Sequence, residues 1–285
     1  MEMTESMSIL KAIILGAVQG ITEFLPVSST GHLAILENMF GMAEAENVML
    51  INMFLHLGTL IAVCFFCWEE IVKLFRSPML TPQQQASGQR PYTLGQRQRT
   101  LVITAAVPYL LLIPVSRYID VLATKTLYVG FAMVLTGFAL LCANKMESGV
   151  KNERNSKGGD ALLIGICQLI SALPGLSRAG LTLTAGLATG HKKEYCLKFF
   201  GLLSVPTLLI TTILELVKAI SDGISGSIIA PCLVGMVAAM LSTVLGIDLL
   251  QRLMMNNNKQ RNGFGGFAYY CWVIGVLVII LTFIF

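Results

Sequence analysis

The chain has 285 residues, 55% of them hydrophobic and 13% charged, and a mean hydropathy of +0.73. Soluble domains carry about one quarter charged residues, so this balance excludes a soluble globular protein and points to an integral membrane protein. The net charge of +4 comes mostly from loop lysines and arginines; it reports on orientation in the bilayer and implies no nucleic-acid partner.

The N-terminus lacks a basic region, apolar core and small-residue cleavage site in sequence, so the first apolar run is expected to belong to the mature fold. That run, 8 to 40, is interrupted near its middle by Pro26, Ser28, Ser29 and Gly31, and reads as a short helix, a break and a second short helix. Uninterrupted runs follow at 50 to 68, 101 to 116 and 127 to 143. A second interrupted stretch, 160 to 190, breaks at Pro174, Gly175 and Ser177, and runs at 198 to 218, 228 to 250 and 267 to 285 complete the chain. Runs of roughly 17 to 25 residues fit helices crossing about 30 Å of hydrocarbon, whereas barrel strands alternate over about ten. The expected fold class is an all-α polytopic membrane protein with six transmembrane helices and two re-entrant helical hairpins, in one integral membrane domain over 1–285. Non-helical backbone at membrane depth is tolerated only where protein or a watery cavity covers it, so both breaks are expected to face inward, at a binding site.

Seven cysteines lie mostly in apolar runs, where free Cys behaves as a small hydrophobe. No disulfide framework is expected, and Cys64 and Cys67 are read as part of a spanning helix rather than a metal or redox site.

Positive charge is concentrated in 69 to 100 (Lys73, Arg76, Arg90, Arg97, Arg99), 144 to 160 (Lys145, Lys151, Arg154, Lys157) and 251 to 266 (Arg252, Lys259, Arg261), and is missing from 219 to 227. The first three segments are therefore expected to be cytoplasmic, with both termini outside. The first hairpin then enters from outside and the second from the cytoplasm. Opposite entry is what an inverted repeat requires, and Gly16-Ala-Val-Gln19 with Leu25-Pro26-Val-Ser28-Ser29-Thr-Gly31 resembles Gly165-Ile-Cys-Gln168 with Leu173-Pro174-Gly-Leu-Ser177-Arg178-Ala-Gly180. The repeat halves are expected at 8–143 and 160–285, meeting near the midplane where half-helix N-termini point at anionic groups.

Ionisable residues within such runs are costly and default to functional candidates. Ser28, Ser29, Thr30 and Gly31 follow Pro26, so they are expected to open a helix whose unpaired amides suit a phosphate. His32 lies at i+3 from Ser29, on one helix face; this allows a serine nucleophile with histidine as base, or a histidine that attacks phosphorus itself. Glu23 stands one turn after Gln19. A divalent cation on this carboxylate, the Gln19 amide oxygen and substrate phosphate oxygens suits the few protein ligands that Mg²⁺ uses. The competing role for Glu23 is a structural pair with Arg178 or His32. Arg178 offers a planar fork of donors to phosphate, and Ser177, Gly175, Gly180 and Thr182 offer close backbone approach and a hydroxyl; the competing role for Arg178 is a snorkelling side chain. His56 ranks lower, as a supporting or core histidine. Glu215, Lys218 and Asp248 are expected at helix ends, and His191-Lys192-Lys193 at a solvated hairpin exit.

Gln19 to His32 and Pro174 to Thr182 resemble the two signatures of the bacterial undecaprenyl-diphosphate phosphatases linked to bacitracin resistance, with Leu55-His-Leu-Gly-Thr59 and the hydropathy plan extending the likeness over nearly the whole chain. The resemblance implies removal of the terminal phosphate of undecaprenyl diphosphate to give the monophosphate carrier of cell-wall synthesis. It also implies a Mg²⁺ or Ca²⁺ requirement, a multi-pass place in the bacterial cell membrane, an active site facing outside, and a polyprenyl diphosphate substrate met in the bilayer; a homodimer is a partner to consider that the sequence itself does not show. Carried over by position, Glu23 and Gln19 fall at the metal-associated pair, Ser29 and His32 at the catalytic pair, and Ser177, Arg178 and Thr182 at the phosphate-binding motif. Gln19 stands where many members have glutamate and Ala179 where most have serine. The alternative reading is a polyprenyl-phosphate transporter or flippase, since broken helices in inverted repeats are also a transporter design; a purely structural scaffold is disfavoured by the buried ionisable residues, and phosphatidic-acid-type phosphatases by the spacing of Arg178 and His191.

Overall fold

The computed structural model describes residues 8–42, 47–77, 93–224, 226–255 and 263–284; the loop charges Arg90, Lys259 and Arg261 and the terminal Phe285 lie outside the described residues. The described chain is helical, with one isolated bridge between Lys151 and His191. In order the helices are α1 (Ile9–Phe24), α2 (Ser29–Met39), α3 (Val48–Phe66), α4 (Trp68–Arg76), α5 (Leu94–Ala123), α6 (Thr126–Lys145), α7 (Gly158–Ile170), α8 (Arg178–Ala188), α9 (Lys193–Asp222), α10 (Gly226–Met254) and α11 (Gly265–Ile284). Among the described residues, six helices are long enough and apolar enough to span a membrane, α3, α5, α6, α9, α10 and α11, which agrees with the six expected runs.

Local chemistry explains where the boundaries depart from the apolar runs. Helix α5 begins in the polar Leu-Gly-Gln-Arg-Gln-Arg segment, outside the expected run, because Thr93 and Gln96 form a reciprocal capping box. Pro108 has no amide hydrogen to donate, and the chain tightens to a 3₁₀ turn at Val107–Leu111 before α5 resumes. Cys67 sits at the junction of α3 and α4, not inside the span, because the helix turns there.

Both interrupted stretches are helix, break, helix. In the first, Pro26 ends α1 and Ser28 takes a left-handed backbone (φ 71°), while its Oγ accepts the Gly31 amide at 3.1 Å and so caps α2. In the second, Gly175 holds φ 91°, a conformation glycine adopts without steric cost, and Ser177 Oγ accepts the Gly180 amide at 3.0 Å to cap α8. Each pair of helices returns to the end it started from. Lys11 Nζ on α1 reaches the Phe40 carbonyl after α2 at 3.4 Å; Lys151, which pairs with Asp160 on α7 at 2.9 Å, bridges to His191 after α8. His191 is fully buried and bonds Ser156 Oγ at 2.9 Å, which corrects its expected place in a solvated exit: closing the second hairpin uses its ring.

Helices α1 and α10 pack closely, and α7 lies on α5, while α3 faces α9 and α6 faces α11. Gly20 allows the first of these contacts, since a Cβ there would collide with Ser242 and the Ala239 carbonyl. The two breaks touch: a Cβ on Gly31 would lie 3.1 Å from Gly175 Cα. Around them Phe24, Val27, Leu140, Leu183 and Leu203 form part of one buried core. Thr136 of α6, fully buried, fastens the second break by donating to the Gly175 carbonyl and accepting the Ser177 amide, both at 3.1 Å. Thr136→Val leaves both backbone groups without a partner and is expected to destabilise the protein by about 1–3 kcal/mol, read as a lower thermal midpoint in detergent, whereas Thr136→Ser keeps most of the stability.

Candidate active site

The breaks bring Glu23, Ser29 and Arg178 together from α1, α2 and α8. Glu23, 4% exposed, accepts from Arg178 Nη2 through Oε1, and through Oε2 from Ser29 Oγ at 2.5 Å and Gln19 Nε2 at 3.1 Å. The structural pairing of Glu23 with Arg178 is thus formed, and the snorkelling role for Arg178 is excluded. Breaking a buried pair by removing one partner leaves an uncompensated charge. Arg178 commits one arm of its guanidinium and leaves Nη1 buried with no hydrogen-bond partner. That unused donor is what an anion would take.

Other expected residues separate into roles. Ser29, Thr30, Pro174 and Arg178 line a cavity of about 160 Å³ enclosed by α2, α3, α5 and α9. Ser28 and Ser177 use their hydroxyl oxygens as caps, and Thr182 donates to the Arg178 carbonyl at 2.5 Å, so the expected Thr182 phosphate donor is turned into its own helix. Gly175 and Gly180 shape the second break without lining the cavity wall. Ser29 and His32, whose spacing allows a nucleophile and its base, do not bond each other: Ser29 bonds Glu23, while His32 places Nδ1 2.7 Å from the Ser28 carbonyl and Nε2 2.7 Å from Tyr270 Oη of α11. His32 does not line the cavity.

Sequence reading missed Glu37, Asn52 and Tyr109 on this cavity and ranked His56 and Glu215 low. Glu37, Asn52, His56, Tyr109 and Glu215 all line the same cavity. His56 Nδ1 lies 2.9 Å from Glu215 Oε2, so Glu215, expected at a helix end, is turned into the cavity. Lys218 pairs with Asp120 at 2.6 Å farther along the same wall, while Asp248 pairs with Arg252 at the surface as expected of a helix end. Spacing gave one usable signal, since Ser29, Leu33 and Glu37 recur every fourth residue on one face of α2. Tyr270 gave none, being 238 residues from its partner.

A family model for the bacitracin resistance protein BacA matches residues 12–277. The chain belongs to the BacA family. Among its relatives, a Carboxydothermus hydrogenoformans protein named undecaprenyl-diphosphatase is 32% identical over 278 residues, 96% of this chain and 98% of the relative. Proteins of the same name from Methanobrevibacter smithii and Methanosphaera stadtmanae are 35% identical over 95% of this chain and 97% of the relative, and 31% identical over 97% and 99%.

Opposite buried charges predict a measurable coupling. Glu23→Gln and Arg178→Gln are each expected to cost about 3–5 kcal/mol of stability, and the double variant less than their sum, as a double-mutant cycle of thermal unfolding would read.

Proposed function

We propose that this BacA-family membrane protein removes the terminal phosphate of undecaprenyl diphosphate, yielding undecaprenyl phosphate for lipid-carrier recycling and conferring bacitracin resistance. The observation that carries the site assignment is Arg178 Nη1, a buried guanidinium donor with no partner, on a cavity wall shared with Ser29 and Thr30. Catalysis of phosphoryl transfer is mostly positioning and charge neutralisation. Arg178 receives the terminal phosphate, and Ser29, whose hydroxyl already donates to Glu23, attacks phosphorus as its proton passes to that carboxylate. The P–O bond to the polyprenyl monophosphate breaks, and the electron pair leaves with the monophosphate. Ser28 and Ser177 keep the helix ends capped so that the remaining amides of α2 and α8 stay aimed at the anion. His32 fixes the strained turn at Ser28 and ties it to α11.

A divalent cation, Mg²⁺ or Ca²⁺, belongs to this reading. A carboxylate has about four lone-pair sites; Glu23 has three donors on it, and Gln19 Oε1 beside it is buried without a partner. Gln19 and Glu23 would hold the ion. Among the described residues no three His, Cys, Asp or Glu side chains form a metal cluster, so phosphate oxygens and water complete the shell, as is usual for Mg²⁺. When bound, the ion neutralises diphosphate charge.

The loop charges support the outward orientation. Arg97 bonds the Ser156 carbonyl, Arg99 that of Ser77, and Lys198 pairs with Glu70, which gathers the basic segments at one end, cytoplasmic by the positive-inside rule. The cavity runs from the breaks toward Asp120, Thr124 and Lys218 at the other end. The exchange of packing partners, α1 on α10 and α7 on α5, together with closure of the two hairpins at opposite ends, supports re-entrant hairpins in an inverted repeat with halves 8–143 and 160–285.

Purified protein is expected to release phosphate from undecaprenyl diphosphate, to stop with EDTA and to resume with added Mg²⁺ or Ca²⁺. Arg178→Lys, which keeps the charge but loses the fork, is expected to lower kcat by roughly 10²–10³-fold. A folded wild type that binds the lipid yet releases no phosphate would return the reading to lipid transport.

A further inference from the structure

The cavity lined by Ser29 and Arg178 carries a second set of polar groups that the reading above does not use. His56 of α3 is 3% exposed. Its Nδ1 lies 2.9 Å from Glu215 Oε2 on α9 and 3.0 Å from the Asn52 carbonyl. Both neighbours are acceptors, so in the neutral ring Nδ1 carries the proton and Nε2 the lone pair. Nε2 has no hydrogen bond among the described residues, while the ring lines the cavity shared with Ser29, Thr30 and Arg178. The other candidate histidine contrasts on each point: both ring nitrogens of His32 are engaged, and it stands off the cavity wall.

Chemistry asks for a base at this place. Transfer of the terminal phosphoryl group to Ser29 leaves a phosphoserine, and water must displace it in line, from the side of phosphorus opposite Ser29. The water-activating group therefore belongs across the cavity from α2's first turn, and its orienting partner behind it, the arrangement of a carboxylate-held histidine base. We infer that His56 is the general base that hydrolyses the phosphoserine, with Glu215 as the positioning residue that fixes its tautomer. The inference rests on the diphosphatase reading. In this step His56 Nε2 takes a proton from water as the water oxygen bonds phosphorus. The P–O bond to Ser29 breaks, its electron pair stays on Oγ, and Oγ recovers the proton it gave up in the first step. Inorganic phosphate leaves, and His56 returns its proton to water in the cavity. The charged groups facing the ring are Glu215 from α9 and Glu37 from α2, with Tyr109 of α5 and Arg178 of α8 on the same cavity wall. Glu37 Oε1 is buried without a partner, and both carboxylates attract the positive charge the ring gains.

The test uses full-length protein in detergent and undecaprenyl diphosphate labelled with ³²P in the terminal phosphate. His56→Gln is expected to release about one equivalent of undecaprenyl phosphate in a burst, to retain label on Ser29, and to lose kcat for phosphate release by roughly 10²–10⁴-fold. Glu215→Gln keeps a hydrogen-bond acceptor but removes the charge; its kcat is expected to fall less, and the acid limb of its kcat profile to move to lower pH, because the imidazolium loses a stabilising carboxylate. A merely structural pair would not move that limb. Wild-type kcat and pH profile in a folded His56→Gln protein would overturn the inference, as would loss of both the burst and phosphate release with no labelled serine. A wild type that releases no phosphate overturns the diphosphatase reading beneath it, an outcome distinct from these two.

Discussion

The Glu23–Arg178 ion pair is the constraint on which the rest of the structure depends. It joins α1 to the first turn of α8 across 155 residues of chain, at the level where both helices are broken. Neither charge is tolerable alone in such surroundings, since an isolated buried charge costs several kcal/mol even after relaxation. The pair therefore fixes the meeting of the two breaks, and the surrounding core can close only around that arrangement. Gly31 against Gly175 supplies the close backbone approach, and Thr136 holds the second break to α6.

The same pair divides its members' hydrogen-bonding capacity in a useful way. Glu23 gathers donors from Arg178, Gln19 and Ser29, so in the proposed reaction the Ser29 hydroxyl already rests on its proton acceptor. Arg178 is anchored by one arm and open by the other. Anchoring matters because a preorganised donor needs no rearrangement when charge develops in the transition state. The His56–Glu215 pair lines the same cavity, where the inferred second step asks for a base to act on the phosphoserine.

Much of this was legible in the sequence, for physical reasons. Hydrophobic runs of membrane-spanning length need no tertiary information, and all six appear as helices. The clustering of Pro, Gly and Ser marks the two breaks, where Ser28 and Gly175 take left-handed backbone that a continuous helix does not allow, and Glu23, Ser29 and Arg178 stood out because charge and hydroxyls at such breaks are costly without use. What sequence did not give is direction across the fold. His32 and Ser29 share a helix face at i, i+3, yet the left-handed turn at Ser28 and the distant Tyr270 draw the ring away, while Glu23 takes the hydroxyl. Glu215 read as a helix-end residue because its partner His56 lies 159 positions away. The start of α5 was hidden because a capping box, not hydropathy, sets it.

The steric course at phosphorus tests the central claim most directly. Hydrolysis of a polyprenyl diphosphate made chiral at the terminal phosphorus with sulfur and oxygen isotopes would be followed to the released thiophosphate. Two in-line displacements, at Ser29 and then at water, predict overall retention of configuration. Inversion would mean that water attacks the substrate directly, and would contradict a covalent role for Ser29 in the Glu23–Arg178 site.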